Sequence, residues 1–278
     1  MRDVPTPTFA LHDLPSTPRA LGAFGRLSRP QKGTSGWRVD WAQSEADVRL
    51  AQRLRYRVFA EELGARLSPP PNTPAGLDVD TFDPFCEHLL VRLEDEDGKP
   101  GEVIGTYRVL TPAAAKRAGG MYSETEFDLT RLRAMRGSLA ELGRSCVHPD
   151  YRHGGVILAL WSALASFMQR NQLEAMLGCA SMSMRDGGHM AASVWTRLKD
   201  SHLAPIESQV RPRLPLPVEA LQQNLQVDPP ALIKGYLRCG AKILGAPAWD
   251  PDFNTADLPM MLRLKDLPAS YRRHLLAP

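Results

Sequence analysis

Val147-His148-Pro149-Asp150-Tyr151-Arg152-His153-Gly154-Gly155-Val156 is the stretch whose reading decides the architecture of this chain. Ahead of it, Leu139–Val147 is an apolar run of strand length. Behind it, Val156, Leu160, Leu164 and Phe167, flanked by Ile157, Trp161 and Met168, recur at helical spacing and form a wide apolar stripe. The segment between is therefore a strand-to-helix turn. Glycines let backbone approach a ligand closely, the first amides of a helix lack partners within it, and the helix dipole favours anions there. Arg152 can add a bidentate contact to a phosphate. The turn predicts a phosphate cradle at the head of a buried helix. The lysine of a P-loop and the GxGxxG spacing are both missing, which argues against a nucleotide hydrolase or a Rossmann site.

Beyond the helix, Ala175–Met182 reads as another strand, and Pro212, Pro215 and Pro217 then break the chain. A short helix over Pro230–Cys239 and strands near Lys242–Leu244 and Leu258–Leu264 follow. Upstream, Gly36–Ala42 alternates large apolar with polar residues, as a strand does. Ser44 precedes Glu45 and Asp47 at the start of a helix that carries Val48, Ala51, Leu54, Val58 and Phe59 and stops near Gly64. After a Pro-, Asp- and Gly-rich loop over 68–84, His88–Leu93 and Val103–Leu110 form a hairpin through Asp95-Glu96-Asp97-Gly98. Residues 111–137 read as a connector. This order argues for a mixed α/β fold on a central sheet.

The 278 residues are 43% hydrophobic, and 34 Lys and Arg against 31 Asp and Glu leave a net charge of +3. That apolar content can bury a substantial core. The basic excess sits in the first 36 residues, where Arg2, Arg19, Arg26, Arg29 and Lys32 face Asp3 and Asp13. The rest is neutral overall and lacks the basic footprint of a nucleic-acid binder. With Pro5, Pro7, Pro15, Pro18 and Pro30 and no periodicity, residues 1–36 read as a flexible tail, either solvated or touching an anionic membrane surface. One domain is expected over 37–278. Cys86, Cys146, Cys179 and Cys239 include no CxxC pair and read as free thiols of a reducing compartment; His148, His153 and His189 have no metal-ligand spacing. No apolar signal segment follows Met1, and Val156–Met168 falls short of the roughly 20 residues of a bilayer span. The chain reads as cytoplasmic, at most peripheral on the inner face of the membrane.

The stretch from Val147 to Val156, with Leu158 and Leu160, closely resembles the cofactor motif of the GNAT superfamily of N-acetyltransferases. The resemblance implies a GNAT-like α/β fold: a mixed, mostly antiparallel sheet flanked by helices, with splayed fourth and fifth strands. It also implies that Val147, Arg152, His153, Gly154, Gly155 and Val156 hold the phosphate and pantetheine of an acyl thioester. The compact Arg-His-Gly-Gly offers fewer amides than the longer glycine loop of acetyl-CoA users, which suits one phosphopantetheine phosphate. Leu54–Gly64, Asp80–Asp83 with His88–Val91, and Glu141–Val147 resemble the acyl-ACP-using branch, which contains acyl-homoserine-lactone synthases and bacterial L-ornithine Nα-acyltransferases. The string Leu232–Leu237 with Gly240, Ala241, Pro247, Asp250, Thr255 and Asp257 is similar to the ornithine enzymes in particular. The lactone synthases' Trp after the Arg-x-x-x-Phe helix is missing.

These likenesses imply an enzyme that moves a (3-hydroxy)acyl chain from acyl carrier protein to the α-amine of L-ornithine. Its phosphopantetheine thioester would be a substrate, with no permanently bound cofactor and no metal. Transfer to a homoserine-type amine or a protein lysine, or a non-catalytic thioester sensor, are the alternatives. Glu141 interrupts an apolar strand where an unpaired carboxylate is costly, and is the expected general base. The alternative is an ion pair with Arg144 or Arg57. Strand amides near Ser145–Val147 would polarise the carbonyl, with a bulge at Gly143. Arg144 is expected to order the acid or touch substrate, and Tyr151 to pack or donate a proton. Asp80, Asp83, Asp186 and His88 are candidates around the acceptor. Arg53 and Arg57 share a helix face suited to an acidic carrier protein, while Arg55 points elsewhere. Leu142, Met176 and Met182 are expected along an acyl channel between the splayed strands.

Overall fold

Alternation along one strand builds both layers of this molecule. The computed structural model describes residues 36–95 and 97–275; the tail reading of residues 1–36 lies, save Gly36, outside them. Strands β1 (Trp37–Trp41), β2 (Glu87–Glu94) and β3 (Pro100–Leu110) make an antiparallel meander. On β2, Leu90 packs against helix α1 (Glu45–Tyr56), whereas its neighbours Leu89 and Val91 pack on the other face against α4 (Gly155–Arg170). The start of α1 is fixed by a capping box: Asp47 N–H donates to Ser44 Oγ, and the Asp47 carboxylate accepts from Ser44 N–H. Its far end widens into a π turn over Arg57–Glu62 before the chain leaves at Gly64.

Helices α2 (Pro112–Ala118) and α3 (Ser123–Glu126) and the short β4 (Phe127–Asp128) lead to β5 (Leu139–Val147), the fourth strand expected from sequence. The crossover helix α4 returns the chain to β6 (Ala175–Ser183), the fifth. Then come α5 (His189–His202), β7 (Arg211–Pro212), α6 (Ala231–Arg238), β8 (Lys242–Ile243), β9 (Ala248–Asp250), β10 (Thr255–Arg263) and α7 (Ala269–Leu275). The eight-stranded sheet runs β1-β2-β3-β5-β6-β10-β8, with β9 beside β10, and only β5 and β6 pair in parallel. The GNAT-like sheet expected from sequence is therefore present, and α2 and α5 are helices that the sequence reading left out.

Two local features open this sheet. Strands β5 and β6 pair only at Leu139–Glu141 and then part. At the divide stands Gly178, where a Cβ would lie 2.6 Å from the Leu142 carbonyl oxygen. The second feature is a bulge: Thr106 faces Cys146 but Arg108 faces Gly143, so Tyr107 alone opposes Arg144 and Ser145. The bulge was expected at Gly143, but Arg144 carries the left-handed backbone, with φ 52°. A side chain tolerates this conformation only when held by its surroundings, and ion pairs supply that restraint. All four cysteines are free. No helix among the described residues is long and apolar enough to cross a membrane.

Candidate active site

The parting of β5 and β6 leaves two cavities that meet at the bulge. One, of about 690 Å³, is apolar and lies among Leu142, Trp161, Leu164, Met176 and Met260. The other, of about 770 Å³, is polar and is lined by Arg108, Tyr122, Glu141, Arg144, Asp250 and Asp257. Tyr107 and Tyr236 border both, and their hydroxyls are hydrogen-bonded to each other. Burial pushes both phenols upward, so they stay protonated. Leu142 and Met176 line the apolar cavity as expected; Met182 does not. The unforeseen α5 covers that end of β6 and buries Met182 in a separate core cluster.

Beneath the polar cavity, three arginines and three aspartates neutralise one another. Arg55 of α1 donates from Nε to Asp78 (2.7 Å) and from Nη2 to Asp83 (2.6 Å). Arg108 Nη1 donates to Asp80 (2.6 Å) and Asp83 (2.7 Å), and Arg144 lies 3.3 and 3.2 Å from Asp78 and Asp80. Burial would raise the Asp83 carboxyl, but Arg55 and Arg108 outweigh it and hold it well below the ordinary range. Asp80 is lowered in the same way by Arg108 and Arg144 against its burial. His88, whose Nε2 meets the Asp83 carbonyl at 3.2 Å, is kept neutral chiefly by burial. The acceptor candidates Asp80, Asp83 and His88 thus sit in or against this network, with Asp80 and Asp83 ion-paired to its arginines. Asp186 is likewise engaged, accepting from the Gly188 and Met190 amides at the start of α5.

Glu141 forms neither ion pair considered for it. Arg57 pairs at the surface with Glu102, and Arg144 with Asp78 and Asp80. The Glu141 oxygens accept the amides of Tyr122 (2.7 Å) and Ser123 (2.6 Å), so this acid fixes the start of α3. Burial still pushes its carboxyl upward against the hydrogen bonds from Ser123 and Tyr122. The Arg144 guanidinium lies 5.1 Å from the Tyr122 ring centre and 4.9 Å from that of Phe253.

At the head of α4, Gly154 takes φ 98° and Leu158 makes the first helical bond to its carbonyl. The amides before Leu158 are thus left over at the helix start. Val156 is buried and can offer only its backbone, while His153 is exposed. Arg152 holds Val147 O through Nε (3.1 Å) and grips Glu62 with two bonds of 2.7 and 2.8 Å. Tyr151 stands between the His148 and His153 rings and borders neither cavity. Arg53 and Arg57 are exposed on α1 and its π extension, whereas Arg55 is fully buried.

A second acidic group was not foreseen. Glu126 at the end of α3, Asp250 of β9 and Asp257 of β10 bring one oxygen each within 4.8 Å of the others. Burial and mutual repulsion push Glu126 and Asp257 upward. Asp250 and Asp257 belonged to the string already noted, but only the pairing of β9 with β10 shows that they converge.

The acetyltransferase (GNAT) domain family matches residues 54–162, from α1 through the bulge into α4. An L-ornithine N(alpha)-acyltransferase of Rhodobacter capsulatus is 35% identical over 246 residues, spanning 85% of this chain and 93% of that protein. Its counterpart in Agrobacterium fabrum is 34% identical over 260 residues, spanning 90% and 86%. Among solved structures, FeeM, an N-acyl amino acid synthase from uncultured soil microbes, has a TM-score of 0.53 at 12% identity, covering 86% of this chain and 98% of its own. BjaI, a CoA-dependent acyl-homoserine lactone synthase, reaches 0.50 at 17% identity, covering 86% and 90%. The structural likenesses concern the fold. The identity to the ornithine enzymes runs along nearly their whole length, and by it this chain belongs to the L-ornithine Nα-acyltransferase family of GNAT-fold acyltransferases.

Proposed function

We propose that this protein transfers a (3-hydroxy)acyl chain from the thioester of acyl carrier protein to the α-amine of L-ornithine, the first step towards an ornithine lipid. The observation that carries this reading is the meeting of an apolar cavity and an acid-lined cavity at the β5 bulge. A thioester laid across the bulge would send its acyl chain into the first, and a charged amine would approach through the second. The names borne by the curated relatives support ornithine as that amine.

In this reading the donor phosphate rests on the α4 amides beside Arg152. Beyond its pairing with β6, strand β5 has amides without a strand partner on that side, and these would polarise the carbonyl. The α-amine has a pKa near 7.7–8.0, so roughly a tenth is neutral at pH 7. Glu141 borders the polar cavity with a raised proton affinity and would take the remaining proton. The amine nitrogen then bonds to the carbonyl carbon, the carbon–sulfur bond breaks, and the leaving thiolate takes a proton. The Tyr107–Tyr236 pair borders both cavities and would donate it, the proton that Glu141 took from the amine then restoring the pair through the polar cavity. Neither tyrosine is distinguishable in sequence from a packing residue.

Exposed Arg53 and Arg57 support docking of an acidic carrier protein, and one sheet spanning β1 to β10 supports one domain from residue 37 onward. Mass spectrometry of products from acyl-ACP or acyl-CoA with L-ornithine, homoserine derivatives or a lysine peptide tests the reading. An Nα-acyl-ornithine formed fastest from acyl-ACP is expected. Acylation of another amine in preference to ornithine, or thioester binding without product, overturns it.

A further inference from the structure

We propose that Glu126, Asp250 and Asp257 receive the side-chain ammonium of the acceptor and so make the enzyme selective for a diamino acid over its monoamino analogue. This deepens the ornithine reading above and rests on it.

The site is incomplete as it stands. Among the described residues none of these three carboxylates makes an ion pair with a basic side chain. Both Glu126 oxygens and Asp257 Oδ1 are buried without a hydrogen-bond partner. Thr255 Oγ1, on a residue only 3% exposed, lies beside Asp257 and makes no hydrogen bond of good geometry. Buried polar atoms are paired in about nine cases of ten or more, so four orphaned oxygens at one spot mark a missing donor. An ammonium group is all donor, with three N–H and no acceptor, and matches a set able only or mainly to accept.

Elimination points to the same place. The acceptor carries a second ammonium that takes no part in the transfer. Of the other acids around the polar cavity, Asp78, Asp80 and Asp83 are neutralised by Arg55, Arg108 and Arg144, and Glu141 holds two backbone amides. Among the described residues Glu126 and Asp257 keep carboxylate oxygens without a partner, and Asp250, whose Oδ1 accepts the amides of Asp252 (2.8 Å) and Phe253 (3.1 Å), stands beside them without a cation; Asp250 and Asp257 form part of that cavity's wall.

The test compares L-ornithine with L-norvaline, the same carbon skeleton without the δ-amine, in the wild type and in Asp257→Asn and Glu126→Gln. Wild-type kcat/KM should favour ornithine by at least about 100-fold. Each variant should lose roughly 10- to 100-fold for ornithine, as expected for a charge-assisted hydrogen bond. The KM for acyl-ACP and the rate with norvaline should stay within about threefold, so that the preference collapses. Melting curves check folding, and either variant alone suffices if the other is unstable. If the wild type does not acylate ornithine at all, the underlying function fails. If it does but the variants keep its preference over norvaline, this site assignment is wrong. Magnesium titrated calorimetrically provides the remaining arm: binding abolished by Asp257→Asn, with ornithine turnover lost in EDTA, would make the trio a metal site instead.

Discussion

Replacing Arg55 by methionine should destabilise the protein more than any surface change and should also damage the distant bulge. Arg55 is fully buried and engages two carboxylates that are themselves almost fully buried, Asp78 and Asp83. Methionine fills similar volume but leaves both acids short of a cation. Arg108 still faces Asp83 and Arg144 still faces Asp78, so the acids are not stripped bare. Breaking one side of a buried ion pair typically costs about 3–5 kcal/mol. For a protein of this size each kcal/mol lowers Tm by roughly 2–4 °C, giving an expected fall of about 6–20 °C. Because Asp78 helps restrain the left-handed Arg144, ornithine turnover should fall even at temperatures where the variant is folded. Differential scanning calorimetry with steady-state kinetics at 20 °C reads both effects. Adding Asp83→Asn to Arg55→Met should recover part of the lost stability, since it removes one uncompensated charge. A Tm within 2 °C of wild type for the single variant would refute the view that this network holds the site together.

Glu141→Gln should lower kcat by about 10²–10⁴-fold with donor affinity near wild type; a loss under threefold in single-turnover assays would leave Glu141 as only a cap for α3. Arg152→Ala should weaken acyl-ACP binding roughly 10- to 100-fold while sparing the ornithine KM, and the opposite pattern would place the donor phosphate elsewhere. Stability should respond to pH in two opposed ways. The depressed Asp83 pKa adds stability that is complete above the ordinary carboxylate range, near pH 4, and is lost as acid titrates the folded form. The raised pKa of Asp257 means that the unliganded fold binds its proton better than the unfolded chain, so stability should rise as pH falls from 7 towards 5. Thermal melts of wild type and Asp257→Asn across that range check this, and an unchanged rise in the variant would exclude Asp257 as its source.

The strands were legible where local pattern dictates them. Leu139–Val147 was bounded correctly because an apolar run ends at a proline turn, and the helix after it because its stripe is unbroken. The connector over 111–137 hid α2 despite its signals, a Thr111 cap, Pro112 in the first turn and Gly119 beyond the end. The proposed donor side is local in sequence, within one strand-to-helix turn; the proposed acceptor side is not. Tyr107 and Tyr236 are 129 residues apart, and Glu126 meets Asp250 and Asp257 only after β9 and β10 have paired. The ion pairs of Asp80 and Asp83 were not legible because no periodicity reveals that Arg55, Arg108 and Arg144 converge on them.

The gap between β5 and β6 is an edge strand turned inward. Most proteins keep such edges short or charged at the surface, because unpaired amides and carbonyls attract any extended chain. Here the edge past Leu142 borders two cavities inside the fold, an opening suited to a slender extended molecule. An extended ligand bearing amide groups could complete the ladder there without any rearrangement of the sheet. Deuterium uptake at the β5 amides past Leu142 that face the gap should therefore be fast in the empty protein and slow once the gap is filled, whereas the amides laddered to β3 and the paired start at Leu139–Glu141 should be slow in both.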